Sequence, residues 1–277
     1  RTKIYSSDTS MIVLKIGGSI VDGLHSTTFQ DIKKISENNK LILVHGGGKE
    51  VTNTANKLGK EQRFIISPSG VKSRYTDKET AEIYTMVMSG KINKAIVGML
   101  LRTGIKSVGI SGIDGGILKA ERKKKLIIIN EKGRKMVIDG GYTGRINSVD
   151  PSLVNILIGK GYVPVISPIA LSNEFDFLNV DGDRAAAYIA GGVKAQSVIF
   201  ITNVNGLILD DKLVTNMTYE QAKTVISRIG FGMQKKVLAC TEALEMGVKE
   251  AVIASGQTEN PVSASMAHYN CTVISPN

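Results

Sequence analysis

Two glycine turns follow two short apolar runs near the start of the chain. Lys15-Ile16-Gly17-Gly18-Ser19 closes Met11–Ile16, and His45-Gly46-Gly47-Gly48 closes Lys40–His45. Glycine lets backbone N–H groups approach an anion closely, and open α/β sheets bind ligands at their strand ends. Two such turns on consecutive strands, one preceded by a lysine, point to an anion site; the plainer reading is a pair of tight strand-to-helix turns. Neither turn is a Walker A loop or a dinucleotide fingerprint, because the chain lacks GxxxxGKS, GxxxxGKT and, after the first strand, GxGxxG. His45, directly before three glycines, reads as orienting its loop rather than as a base. A third glycine loop, Gly230-Phe231-Gly232, leads into a helix with Lys235 and Lys236 in its first turn. A cation there opposes the helix dipole unless an anion shares the site, which argues for phosphate binding by one of the two.

Arg74, in Ser73-Arg74-Tyr75-Thr76-Asp77, stands before a long helix with the same mismatch of charge and dipole. It can clamp a carboxylate with two hydrogen bonds, or be a plain surface arginine. Tyr75 reads equally as core packing or substrate contact. Asn179-Val180-Asp181-Gly182-Asp183-Arg184 brings polar groups to a strand-to-helix junction. Asp181 or Asp183 can cap that helix, or Asp183 can fix a lysine or an ion by charge pairing. Thr202-Asn203-Val204-Asn205-Gly206-Leu207 ends another strand with turn chemistry. Lysine-bearing glycine loops, a carboxylate-type arginine and few candidate bases suit phosphoryl transfer to an acceptor that is already ionised. A carboxylate nucleophile needs no general base. It needs in-line positioning and donors around the moving group.

The elements that must hold these residues alternate. Strands are expected at Met11–Ile16, Lys40–His45, Ile105–Ile110, Tyr162–Ser167, Ser197–Thr202, Glu250–Ala254 and Cys271–Ser275. Helical spacing runs through Phe29, Ile32 and Ile35 and through Val51, Ala55 and Leu58. A long helix is expected from Asp77 to Arg102, with Ala81, Tyr84, Met88, Ile92, Ala95 and Met99 on one face. Asp150-Pro151 reads as a cap with proline at the first helical position, Asp181–Ala190 as an alanine-rich helix, and Thr218-Tyr219-Glu220-Gln221 as a capping box. Met233–Met246 is a further helix. Residues 117–146 alternate apolar runs with lysine-rich turns, as β-hairpins do. The fold class is α/β, with a mainly parallel sheet covered on both faces. Ser172–Phe177 is the best-marked lobe boundary, and residues 1–10 read as a leader or added extension before Met11.

Composition narrows the partners. The chain has 277 residues and a formal charge of +10. Nine basic and three acidic residues between Lys119 and Arg145 carry +6 of that charge, either as a solvated hairpin surface or as a docking patch. The patch counts as a feature separate from the lysines of the glycine loops. No tryptophan, 5% aromatics and no recognised motif argue against nucleic acid. No run is apolar enough to span a membrane, and no signal peptide is visible. Two cysteines, Cys240 and Cys271, allow neither a disulfide framework nor a multi-cysteine metal cluster, and point to the reducing cytosol.

In order, Lys15-x-Gly17-Gly18, His45-Gly46-Gly47-Gly48, Arg74-x-Thr76-Asp77-x-x-Thr80, Ser111-Gly112-x-Asp114-Gly115-Gly116, Asn179-Val180-Asp181-Gly182-Asp183-x-Ala185-Ala186 and Gly232-Met233-x-x-Lys236 resemble the amino acid kinase family, over essentially all of the chain from Met11. Within it they resemble the N-acetylglutamate kinase branch. The resemblance implies a three-layer αβα sandwich, with an acceptor-binding and dimerising lobe over residues 11–172 and an MgATP lobe over 173–277. It implies that Lys15 and Lys236 stabilise the transferring phosphoryl group and that Asp183 orients them. Gly17, Gly18, Gly46 and Gly47 would give backbone donors; Arg74 and Asn179, with Tyr75 beside them, would hold the acceptor. Thr202, Asn203, Gly206, Leu207, Asp210, Gly232 and Met233 would border ATP, although Asn203 departs from the family's usual Asp. Mg2+ would be held mainly by the ATP phosphates, with no metal site of the chain's own. Ser69-Gly70-Val71-Lys72-Ser73-Arg74-Tyr75-Thr76-Asp77 departs from the branch's usual Gly-x-Arg-Val-Thr-Asp and looks like relatives that act on α-aminoadipate, or glutamate, attached to a small acidic amino-group carrier protein. The expectation is a cytoplasmic homodimeric kinase of lysine or arginine biosynthesis, with no nucleic-acid or membrane partner. The alternatives are a kinase of free N-acetylglutamate and a non-catalytic nucleotide- or nucleic-acid-binding protein.

Overall fold

The computed structural model describes residues 10–18, 24–68, 70 and 72–277. Residues 1–9 of the expected extension, and Ser19, Ser69 and Val71 of the quoted motifs, lie outside the described residues. The chain runs through β1 (Met11–Ile16), α1 (Thr28–Ser36), β2 (Lys40–His45), α2 (Gly48–Lys57), β3 (Phe64–Ile66) and β4 (Lys72–Arg74). A helical rod follows: α3 (Lys78–Thr85), a π-helical turn (Met86–Ile92) and α4 (Asn93–Arg102). Next come β5 (Ser107–Ser111), β6 (Leu118–Arg122), β7 (Lys125–Ile129), β8 (Lys135–Asp139), β9 (Gly144–Val149), α5 (Ser152–Gly159), β10 (Val163–Ser167), β11 (Ile169–Leu171), β12 (Phe177–Asn179) and α6 (Gly182–Gly192). The last third holds β13 (Ser197–Thr202), β14 (Ile208–Leu209), β15 (Lys212–Leu213), β16 (Asn216–Thr218), α7 (Tyr219–Val225), α8 (Phe231–Glu245), β17 (Glu250–Ser255), α9 (Pro261–Met266) and β18 (Thr272–Ser275).

The main sheet has the order β16-β18-β17-β13-β1-β2-β10-β5, and its strands from β17 to β5 run parallel. Such strands are buried on both faces, which is why they read as near-continuous apolar runs. Alternate residues feed two cores. Val13, Ile42, Val44 and Phe200 pack with α5, α6, α7 and α8; Ile12, Leu14, Ile16, Leu41 and Leu43 pack with α1, α2, the rod and α9. A three-layer αβα arrangement results. Among the described residues three smaller sheets accompany it: β12-β11-β6-β9, β4-β3-β7-β8 and the two-stranded β14-β15.

Most expected elements are present, and the departures have local causes. The long helix is not one α-helix. Its π-helical turn adds a residue to the winding, so the buried stripe passes from Met88 and Ile92 to Asn93, Ile96 and Leu100, while Ala95 and Met99 are exposed. The helix after Pro151 starts at Ser152, with the Asp150 carboxylate accepting the Ser152 N–H at 2.9 Å. Ser172–Phe177 links β11 to its antiparallel neighbour β12 in a hairpin. The capping box at Thr218 and Gln221 is formed.

Candidate active site

Lys15 stands next to the end of β1, on the sheet face that Val13 shares with α6 and α8. Asp183 is in the first turn of α6; Lys236 is in the second turn of α8, not the first as expected, because the helix begins at Phe231 rather than Met233, and strand and helices bring three distant residues to one point. Lys15 Nζ lies 2.6 Å from one oxygen of Asp183, and Lys236 Nζ lies 2.9 Å from the other. Lys15 and Asp183 are buried. Burial pushes the Asp183 carboxyl up, but the two ammonium charges outweigh it and hold the group well below the usual carboxylate range. Asp181 is the cap of α6, accepting from the N–H groups of Asp183 and Arg184 at 3.0 and 3.2 Å. That leaves the Asp183 side chain for the lysines. Arg184 donates to Glu242 of α8 in a two-pronged ion pair that ties the helices together.

The two glycine turns touch. A Cβ on Gly18 would collide with the backbone of Gly46 and Gly47, and one on Gly47 would collide with Met88 and Ile92. Their N–H groups are not equivalent. Gly17 donates to the Ile201 carbonyl at 3.2 Å and Gly46 to the Ile16 carbonyl at 2.9 Å, so these two are committed to the fold. Gly18 and Gly47 have no acceptor among the described residues, and both line the cleft. Gly48 and Lys49 open α2 with no side-chain cap and also line it. His45 is fully buried. Burial first, then the charges of Lys15 and Lys94, lower its pKa to about 4, so it is neutral and suited to holding the loop.

The cleft has a volume of about 780 Å³. Arg74, half-buried on its wall, donates to the Gly48 carbonyl at 2.7 Å, to Thr52 Oγ1 at 2.8 Å and to Gln62. All three partners are neutral, so among the described residues the guanidinium charge has no counter-ion there. Asn179, also on the wall, donates to Thr76 Oγ1 at 3.0 Å. Tyr75 is not among the lining residues; its ring lies against Arg63, 5.1 Å from the guanidinium carbon. Gln62 and Thr52 were not legible as site residues, though Thr52 lies one helical turn beyond Gly48.

A second pocket of about 400 Å³ gathers Gly206, Leu207, Asp210 and Met233. Asp210 and Asp211, both left-handed, make the turn of the β14–β15 hairpin at its rim. The start of α8 separates the pockets: Met233 faces this one, and Gly232, Lys235 and Lys236 face the cleft. Thr202 and Asn203 line neither.

The basic segment is not separate from the site. Lys123, Leu126 and Ile127 line the cleft, so β7 and the turn before it form part of its roof. Burial, and then Arg184 beside it, lower the Lys123 ammonium below the ordinary lysine range. Among the described residues Lys123 forms no ion pair with a carboxylate. Its neighbours in the lysine run gave no sign of which one turns inward. Phe64 and Ile127 at the cleft edge, with Ile66 and Val137 beyond it, leave an exposed apolar sheet face. Lys72 lies over the Phe64 ring at 5.1 Å, and Lys125 and Lys135 are exposed beside it.

A parallel sheet with a lysine and glycine turns at its carboxyl edge defines an α/β protein with a cleft suited to an anion. The chain belongs to the amino acid kinase family, whose model matches residues 10–255. A relative in Nitrosopumilus maritimus, provisionally named a LysW-aminoadipate/LysW-glutamate kinase, is 62% identical over 95% of this chain and 99% of its own. The LysW-aminoadipate/LysW-glutamate kinase of Saccharolobus islandicus is 44% identical over the same shares. Among solved structures, smu.665 from Streptococcus mutans superposes with a TM-score of 0.76 at 19% identity, covering 96% of this chain and 99% of that one, which shows the fold.

Proposed function

We propose that the chain transfers the γ-phosphoryl group of MgATP to the side-chain carboxylate of α-aminoadipate or glutamate held by its amino group on a small acidic carrier protein. The product is an acyl phosphate on the way to lysine or arginine. The carrying observation is the pair of lysines on Asp183. It supplies two ammonium groups at fixed separation, beside the unengaged N–H groups of Gly18 and Gly47, around one point in the cleft. Such donors favour the charge that spreads over a phosphoryl group in flight. The acceptor carboxylate attacks without a base, consistent with a neutral His45. Arg74, short of a counter-ion, takes the acceptor's α-carboxylate, with Asn179 beside it. The base and ribose of ATP occupy the second pocket, and its phosphates pass Gly232 to reach Lys236. Residues 11–172 then serve the acceptor and 173–277 the nucleotide.

Mg2+ travels on the nucleotide in this reading. Both Asp183 oxygens are taken by lysines, and among the described residues no three or more His, Cys, Asp or Glu side chains are grouped to hold a metal. Bound to the phosphates, it neutralises their charge. The apolar face with its lysine rim suits an acidic carrier. A homodimer and a cytoplasmic location complete the reading. Met86 and Leu101 expose apolar surface on the rod, and light scattering tests the dimer.

Three acceptors compared side by side with MgATP and hydroxylamine test the function: carrier–aminoadipate, carrier–glutamate and free N-acetylglutamate. Hydroxamate should form from the carrier-linked acids. Equal turnover of free N-acetylglutamate would favour that substrate instead, and no product from any acceptor would sink the reading.

A further inference from the structure

Asn93 is fully buried, an amide on the inner face of a helix although the sequence period places it on the flank. The π-helical turn just before it turns it towards the sheet. The two protons of its Nδ2 are shared among three acceptors within reach: the Val165 carbonyl at 2.9 Å, the Ile110 carbonyl at 3.2 Å and His45 Nε2 at 3.2 Å. Lys94 Nζ donates to its Oδ1 at 3.0 Å, which fixes which end of the amide is which. A Cβ on Gly109 would collide with Oδ1, so β5 leaves room for the amide. Because Nδ2 can only donate, His45 Nε2 must accept. The imidazole proton is then on Nδ1, which donates to the Gly46 carbonyl at 3.0 Å. Met88 and Ile92 of the same π-helical turn close against Gly47. One helical irregularity thus grips the glycine turn from two sides.

We propose that Asn93 is a positioning residue for phosphoryl transfer: by fixing the tautomer and ring of His45 it holds the Gly46–Gly47 turn so that the Gly47 N–H faces the transferring group. The proposal rests on the kinase reading above. A loosened turn still admits both substrates but no longer presents its donor at the moment of transfer, so kcat falls while KM stays. The charged groups facing His45 are Lys15 from β1 and Lys94 from α4, both cationic, and they oppose a second proton on the ring. The neutral tautomer therefore depends on Asn93 for its Nε2 partner.

The test joins kinetics to an observable that needs no activity. Asn93→Ala should lower kcat about tenfold or more, by the scale of a lost oxyanion-type donor. KM for ATP and for the carrier-linked acceptor should stay within about threefold. In 15N-histidine spectra of the intact protein, His45 should show a protonated Nδ1 and a bare Nε2, and Asn93→Ala should shift the Nε2 signal. Leu100→Ala, equally buried on α4, should lower Tm and leave both readouts unchanged. If Asn93→Ala does not fold, His45→Leu carries the kinetic arm with the same expected split. A folded Asn93→Ala with wild-type kcat, or with an unmoved Nε2 signal, overturns the proposal. A wild-type enzyme inactive on every acceptor sinks the kinase reading instead, and the spectra still decide the Asn93–His45 contact.

Discussion

Asp183 joins two cations that would otherwise repel each other. Lys15→Ala and Lys236→Ala should each reduce kcat about a hundredfold or more, by the scale of a lost transition-state donor, and change KM for ATP far less. Steady-state kinetics at saturating acceptor check this, and an intact kcat in both variants would refute the assigned roles. His45 gives a second prediction, in stability. Its folded pKa of about 4 lies below the ordinary imidazole value of about 6.5, so the unfolded chain takes up the proton first as pH falls. The stabilisation is fully present above about pH 6.5 and drains away between there and about pH 4, by an amount on the order of 3 kcal/mol. Asp183 does not contribute in that window, because its depressed pKa places its own loss below the usual carboxylate range. Urea midpoints at pH 7 and pH 5 should therefore differ more for the wild type than for His45→Gln. Equal differences would show that the ring is not held neutral by burial.

Elements decide which glycines matter. Gly18 meets the backbone of Gly46 and Gly47, which cannot yield as a side chain can; Gly98, on the exposed side of α4, has nothing near its missing Cβ. Gly18→Ala should part the two turns and lower kcat steeply. Gly98→Ala should raise stability by about 0.5–1 kcal/mol through helix propensity, read as a higher Tm with unchanged kcat. A harmless Gly18→Ala would mean the turns need not touch. The contrast also explains what the sequence made legible. Long buried strands announce themselves by apolar runs, the glycine turns by their place at strand ends, and Arg74 by a charge before a helix start. Three-residue strands such as β3 and β11 carry no period to read. The π-helical turn left no signature in the residues of the rod, so Asn93 passed as a flank position until its phase shift was visible. Gly17 and Gly46 looked like donors because sequence cannot say which N–H groups the fold has already used.

At the scale of the whole molecule the charge is not uniform, and its role follows from where it is left unpaired. Arg122 and Arg145 of the basic segment face Asp139 and Glu121, each at 3.5 Å, whereas Lys124, Lys125, Lys132, Arg134 and Lys135 are exposed with no ion pair among the described residues. These five sit on the β7–β8 hairpin that roofs the cleft, beside the apolar face of Phe64, Ile66, Ile127 and Val137. An acidic carrier docked there would present its attached carboxylate to the cleft, and charges this exposed act mainly on the rate of encounter. Salt screens exposed charges over about 8–10 Å, while the buried Lys15–Asp183–Lys236 set is screened much less. Raising salt from about 50 to 300 mM should therefore increase KM for the carrier-linked acceptor several-fold and leave kcat nearly constant. Lys125→Glu with Lys135→Glu should raise that KM at low salt and flatten its salt dependence, with KM for ATP unchanged. A KM that ignores both salt and charge reversal would place the carrier elsewhere and leave the hairpin's charge to solubility.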